Sequence, residues 1–179
     1  MQPMKYVSKW LYEHANEQHY LFTLQDLRAI CPKLSDAAFK ALLARAVNAD
    51  LLTRICRNIY LFEKYLPQDG LLLFRVATLL RANEFNYISL ETVLSEAGII
   101  SQIPINHITI MSSGRSNIID CGRFGRVEFI HTKQKPNDIA SNLIYDRDCG
   151  LWRANIKLAL RDIKKTVSYT HLRAHETRP

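Results

Sequence analysis

An α+β chain in two domains is what the sequence predicts: an N-terminal three-helix unit closed by a β-hairpin, then a small α+β domain with an antiparallel sheet. Three observations predict it. Apolar residues recur at helical spacing in three runs before residue 50, and two β-prone runs follow them. A turn-rich seam, Leu66-Pro67-Gln68-Asp69-Gly70, then precedes a new succession of helical and β-prone segments.

Tyr6, Val7, Trp10, Leu11 and His14 place a first amphipathic helix over Lys5 to Asn16. Tyr20-Leu21-Phe22 reads as a brief strand or extended entry. Thr23 is an N-cap with Asp26 at the third helical position, which opens a second helix from Leu24 to Ile30 that Pro32 stops. Ser35 caps a third helix, Asp36 to about Asn48, with Phe39, Leu42, Leu43, Ala46 and Val47 as its apolar stripe. Leu51 to Arg57 and Ile59 to Phe62 are β-prone and divided by Arg57-Asn58, and Asn tolerates the positive φ of a tight hairpin.

Beyond the seam, Leu71 to about Ala82 reads as a buried helix. Ser89 caps a helix from Leu90 to Ala97, closed by Gly98. Ile108 to Met111, Ile118 to Cys121 and Arg126 to Ile130 read as strands, joined most simply as an antiparallel meander. Asn137 to Ser141 reads as a short turn, and Asn155 caps a last helix through Lys165. Val167 to Thr177 spell VSYTHLRAHET, which matches one frame of a transposase sequencing adapter, so residues 166–179 are expected to be a non-native tail. On that expectation natural sequence ends near Lys165 and the natural protein continues further. The domains are then 1–65 and 66–165.

The chain carries a formal net charge of +7, and each domain holds +3 of it. That excess favours a polyanionic partner only where the charges cluster. Cys31, Cys56, Cys121 and Cys149 stand far apart with no C-x-x-C pair and no signal peptide, which points to reduced thiols in a cytoplasm. No stretch reaches the roughly 20 apolar residues of a membrane span.

The succession helix, helix, helix, hairpin is that of a winged helix-turn-helix, whose third helix enters the major groove by its N-terminal part while the hairpin wing rides beside it. Lys33, Asp36, Ala37 and Lys40 then line the leading edge that reaches base edges, and Ser35 directs the helix N-terminal amides toward a phosphate. Arg45 on the helix and Arg54 and Arg57 on the wing are candidate phosphate contacts. A winged helix also serves as a protein-interaction module, and a leading edge bearing Asp36 is not strongly basic, so that alternative stays open. In the second domain Arg115, Arg123 and Arg126 crowd the strand turns as a possible second basic surface, with Lys133 and Lys135 nearby.

Enzyme signatures do not assemble. Asp146-Arg147-Asp148 lacks the upstream Gly-Ser helix start of a nucleotidyltransferase and reads as a solvated loop. His14, His19, His107 and His131 form no zinc pattern, so neither metal nor cofactor is expected. Ser113-Gly114 lacks a nucleophile elbow, and Gly122 and Gly125 lack the third glycine of a dinucleotide loop.

Leu52-Thr53-Arg54-Ile55-Cys56-Arg57-Asn58-Ile59-Tyr60 resembles the wing of the AbiEi-type antitoxins of type IV toxin-antitoxin (abortive infection) systems. Tyr87-Ile88-Ser89-Leu90 through Gly98 is similar to that family's Y-[IV]-S-L element, Ile108 to Ser116 to its strand-turn signature, and Leu151 to Lys165 to its A-L-x-D helix. The resemblance covers about residues 5 to 165 and departs at Asn58, where Gly is more usual. It implies a non-catalytic antitoxin whose N-terminal domain represses its own promoter by binding inverted repeats in double-stranded DNA. The resemblance also implies that the second domain counters a nucleotidyltransferase-type toxin without a stable complex.

Overall fold

The computed structural model describes residues 2–101 and 106–176, the last ten of these as backbone alone. It is α+β and divides into two compact units, Met1–Leu72 and Leu73–Pro179. The division falls at the start of a helix, a few residues past the turn-rich seam.

The first unit runs α1 (Pro3–His14), β1 (Leu21–Thr23), α2 (Leu24–Ile30), α3 (Asp36–Asn48), β2 (Thr53–Cys56) and β3 (Ile59–Leu61), then a 3-10 turn at Glu63–Tyr65. Pro3 opens α1 because its missing N–H is one that a first turn leaves unbonded anyway. At α2, Thr23 Oγ1 accepts from the Asp26 N–H (3.1 Å) while Asp26 Oδ2 accepts from the Thr23 N–H (2.8 Å). Two orphan donors are thereby satisfied at once. Ser35 Oγ accepts from the Ala38 N–H (3.2 Å) and starts α3. The strands form an antiparallel sheet in the order β1-β3-β2, with Asn58 at φ 66° in the β2–β3 turn. Val7 and Leu11 of α1, Leu27 of α2, Phe39 and Leu42 of α3 and Phe22 of β1 close one core against the sheet.

The second unit runs α4 (Leu72–Leu80), β4 (Asn86–Ile88), α5 (Leu90–Glu96), β5 (His107–Ser112), β6 (Asn117–Asp120), β7 (Arg126–His131), α6 (Pro136–Ile139), β8 (Leu143–Asp146), β9 (Leu151–Ala154) and α7 (Ile156–Glu176). Its strands form one mixed sheet in the order β6-β7-β5-β4-β9-β8. The expected antiparallel meander is therefore incorrect: β5 and β7 pair in parallel, and β6 lies outside β7. Burial explains the arrangement. Val127 and Phe129 of β7 are fully buried and suit an interior slot beside β5, whereas Asn117, Ile118 and Asp120 of β6 are exposed and suit an edge. β6 returns one strand-width out, and β7 fills the gap.

Three strands escaped the sequence reading. β4, β8 and β9 are three or four residues long, too short to display a period. Ser89 is not the helix cap that the sequence predicts. It stands before α5 but caps nothing, because its hydroxyl donates to Asp162 and Leu90 turns the chain at φ 57°. Asn155 does cap α7, its Oδ1 accepting from the Leu158 N–H (2.9 Å). That helix continues past Lys165 to Glu176, and the adapter-like tail otherwise lies outside the described side chains. Asn137 to Ser141, read as a turn, spans the end of α6 and a following 3-10 turn. Among the described residues no helix is long and apolar enough to cross a membrane.

Candidate nucleic-acid interface

One arginine that the sequence reading passed over organises the turn between α2 and α3. Arg28 donates from Nη1 to the Cys31 carbonyl (2.8 Å) and from Nη2 to the Leu34 carbonyl (2.5 Å). The same guanidinium lies 5.0 Å over the Phe39 ring and 3.5 Å from Asp36 Oδ1. It thus bonds two carbonyls of the α2–α3 turn and rests against the first two turns of α3. No period or spacing announces this, because its acceptors are main-chain carbonyls that only the folded turn brings together. Cys31, buried beside it, has its thiol pushed up by burial, an effect that the Arg28 charge partly opposes.

Every predicted interface residue of this unit is exposed. Lys33 and Ser35 precede α3, while Asp36, Ala37 and Lys40 lie on its first turns and Arg45 one turn further. Arg54 is on β2 and Arg57 in the hairpin turn. Among the described residues, none of Lys33, Lys40, Arg45, Arg54 and Arg57 forms an ion pair. Between α2 and α3 a groove of about 310 Å³ is lined by Leu24, Gln25, Arg28, Asp36, Phe39 and Lys40. The leading edge of α3 thus combines one carboxylate, held beside a cation, with the unpaired ammonium groups of Lys33 and Lys40, and unpaired guanidinium groups follow at Arg45, Arg54 and Arg57. Such a surface can approach phosphates and base edges together.

The second unit does not gather its predicted basic surface. Antiparallel pairing of β6 with β7 sets Asp120 beside Arg126 and Asn117 beside Phe129. Arg123 and Arg126 therefore stand at one end of β7, and Arg115 stands near His131 at the other. At about 3.3 Å per residue the ends are roughly 16 Å apart. Arg115 belongs to a loop fixed by other side chains: Arg81 donates to its carbonyl (2.8 Å), and His131 Nδ1 donates to the Gly114 carbonyl (2.8 Å).

What this unit does build is a buried carboxylate. Asp162 of α7 is fully buried, and Oδ2 accepts from the Tyr87 hydroxyl (3.0 Å) and the Ser89 hydroxyl (2.7 Å). Oδ1 accepts from Gln134 Nε2 (2.9 Å), whose Oε1 accepts from Arg161 (3.3 Å). Burial first, then the charge and hydrogen bond of Asp162, push the Tyr87 phenol well above its ordinary range. Tyr87 is thereby kept as a donor. With each oxygen bonded, the cluster ties α7 to β4, and its Gln134 and Arg161 end reaches the surface. The two segments it joins are those that carry the Y-I-S-L and A-L-x-D likenesses.

Asp146 likewise has no free oxygen. Oδ1 accepts from the Asp148 N–H (3.0 Å), and Oδ2 pairs with Arg153 (3.0 Å). Burial raises the Asp146 carboxyl, but the Arg153 guanidinium and the Cys149 and Asp148 amides outweigh it and leave it below the usual carboxylate range. The D-x-D is thus the start of the β8–β9 turn. None of the four cysteines forms a disulfide. Comparison with protein-family models gives no match, and no curated protein matches the chain.

Proposed function

We propose that this protein is a DNA-binding transcriptional autorepressor and the antitoxin of a type IV toxin-antitoxin system in a bacterial cytoplasm. Its first unit acts as a winged helix-turn-helix. The observation that carries the reading is the set of exposed, unpaired cations, Lys33, Lys40, Arg45, Arg54 and Arg57, distributed over α3, its N-terminal approach and the hairpin. α3 lies in the major groove with Lys40 toward base edges, while Arg45, Arg54 and Arg57 contact phosphates. The order of elements and the capped, turn-locked α3 support this docking. The antitoxin role rests on the sequence resemblance, and the meeting of its two second-unit segments at Asp162 supports it. The counterpart is a nucleotidyltransferase-type toxin that the second unit opposes without a stable complex.

The test is binding of the protein's own promoter duplex, followed by fluorescence anisotropy across a salt series. Affinity falls steeply with salt, since each neutralised phosphate contributes about −0.9 to the slope of log K against log [salt]. R57A lowers affinity for every duplex alike and makes the slope shallower by about one, whereas K40A also loses sequence preference. If neither substitution changes affinity, the first unit is an interaction module of another kind. Rescue of growth in cells expressing the toxin tests the antitoxin role separately.

A further inference from the structure

An acid in the first turn of a helix complements the helix dipole, but at the front of a helix that faces DNA it also meets phosphates, a repulsion that a donor on the duplex would offset. Asp36 is the first residue of α3, and its side chain is 92% exposed. Its carboxylate is not folded back into a cap, because Ser35 already holds that role. Arg28 sits 3.5 Å away, too long for a hydrogen bond but close enough to offset the charge. The guanidinium itself is immobilised by the Cys31 and Leu34 carbonyls and by the Phe39 ring. The arrangement is a carboxylate with an unbonded Oδ2, steadied by a fixed cation behind it, at the mouth of the groove shared with Lys40.

Resting on the DNA-binding reading above, we propose that Asp36 is a specificity-determining residue that selects cytosine, and that Arg28 is its positioning residue. In the major groove cytosine presents its N4 amino donor, whereas guanine presents N7 and O6 and thymine presents O4, all acceptors that repel a carboxylate. Adenine offers an amino group but sets the N7 acceptor beside it, which an acid tolerates poorly and an amide satisfies fully. Asp36 therefore accepts from cytosine N4 and rejects the other three bases. Arg28 keeps the carboxylate from being driven off by neighbouring phosphates.

The experiment selects bound sequences from a pool of randomised duplex DNA with the full chain and its D36N, D36A and R28K variants. The wild type enriches a motif with cytosine at one position of each half-site. D36N moves the preference at that position alone from cytosine to adenine, since an amide bonds adenine N6 and N7 together. D36A abolishes the preference there, about a tenfold loss of discrimination, while the rest of the motif persists. R28K retains the motif but weakens the cytosine preference, because an ammonium cannot span two carbonyls and steady the acid as a planar fork does. A motif whose bases are all unchanged by D36N and D36A, or a wild type that binds duplex without enriching any sequence, overturns the Asp36 assignment and leaves DNA binding standing. Absence of binding to any duplex at low salt overturns both.

Discussion

Asp162 shows how much one side chain can hold in place. Three donors, from Tyr87, Ser89 and Gln134, converge on its two oxygens inside the second unit. Asp162→Asn keeps the size but supplies one oxygen and one amino group, so at least one donor loses its acceptor and faces another N–H. An unsatisfied buried donor costs about 1–3 kcal/mol, and urea denaturation of D162N is expected to show a loss at the upper end of that range. An unchanged midpoint would mean that the cluster holds nothing together. The sequence disclosed residues of one kind and hid those of another. Lys40, Arg45 and Arg57 were legible because helical period and hairpin position predict exposure. Arg28, Gln134 and Asp162 were not, because each is defined by partners that only tertiary structure brings near, up to 75 positions away in the case of Tyr87 and Asp162.

At the scale of elements, local chemistry decided what could be read. Thr23 and Ser35 announced α2 and α3 because a cap acts within three residues, and Asn58 announced its hairpin for the same reason. Strand order in the second sheet was illegible: β5 pairs with β7 in parallel across an intervening strand, and the choice turned on which of β6 and β7 had the residues to be buried. In the β8–β9 hairpin two groups are held away from their ordinary ranges. Asp146 lies below its ordinary range, and burial, reinforced by the Asp146 charge, pushes the Cys149 thiol up to about 11. A depressed carboxyl stabilises the fold above the unfolded value of about 3.9 and loses that contribution as pH falls through the lower folded value. A raised thiol leaves stability intact below the unfolded value of about 8.5 and lost as pH climbs toward the folded one. Hairpin stability is thus expected to be flat from about pH 5 to 8 and to fall on both sides. D146N should flatten the acid limb of the urea midpoint plotted against pH, and an acid limb unchanged in D146N would contradict the assignment.

At the scale of the whole molecule, each unit has its own core, and the chain carries just two tryptophans. Trp10 stacks on His14 and meets the edge of Phe22 in the first unit. Trp152 meets Tyr145 edge-on in the second. Single-tryptophan variants, W10F and W152F, therefore report one unit each. Two cores closed by separate contacts need not melt as one, and a chain of two units is where two-state behaviour commonly fails. Thr23→Ala removes half of the α2 capping box at a cost of about 1 kcal/mol. It is expected to lower the urea midpoint seen by Trp10 and leave that seen by Trp152 in place. Asp162→Asn should do the reverse. Should either substitution move both midpoints by the same amount, the units unfold as a single cooperative body. The α3 surface proposed to read DNA would then depend for its stability on α7 and the Asp162 cluster, and on that proposal D162N would weaken duplex binding near its unfolding midpoint without altering a contact to the duplex.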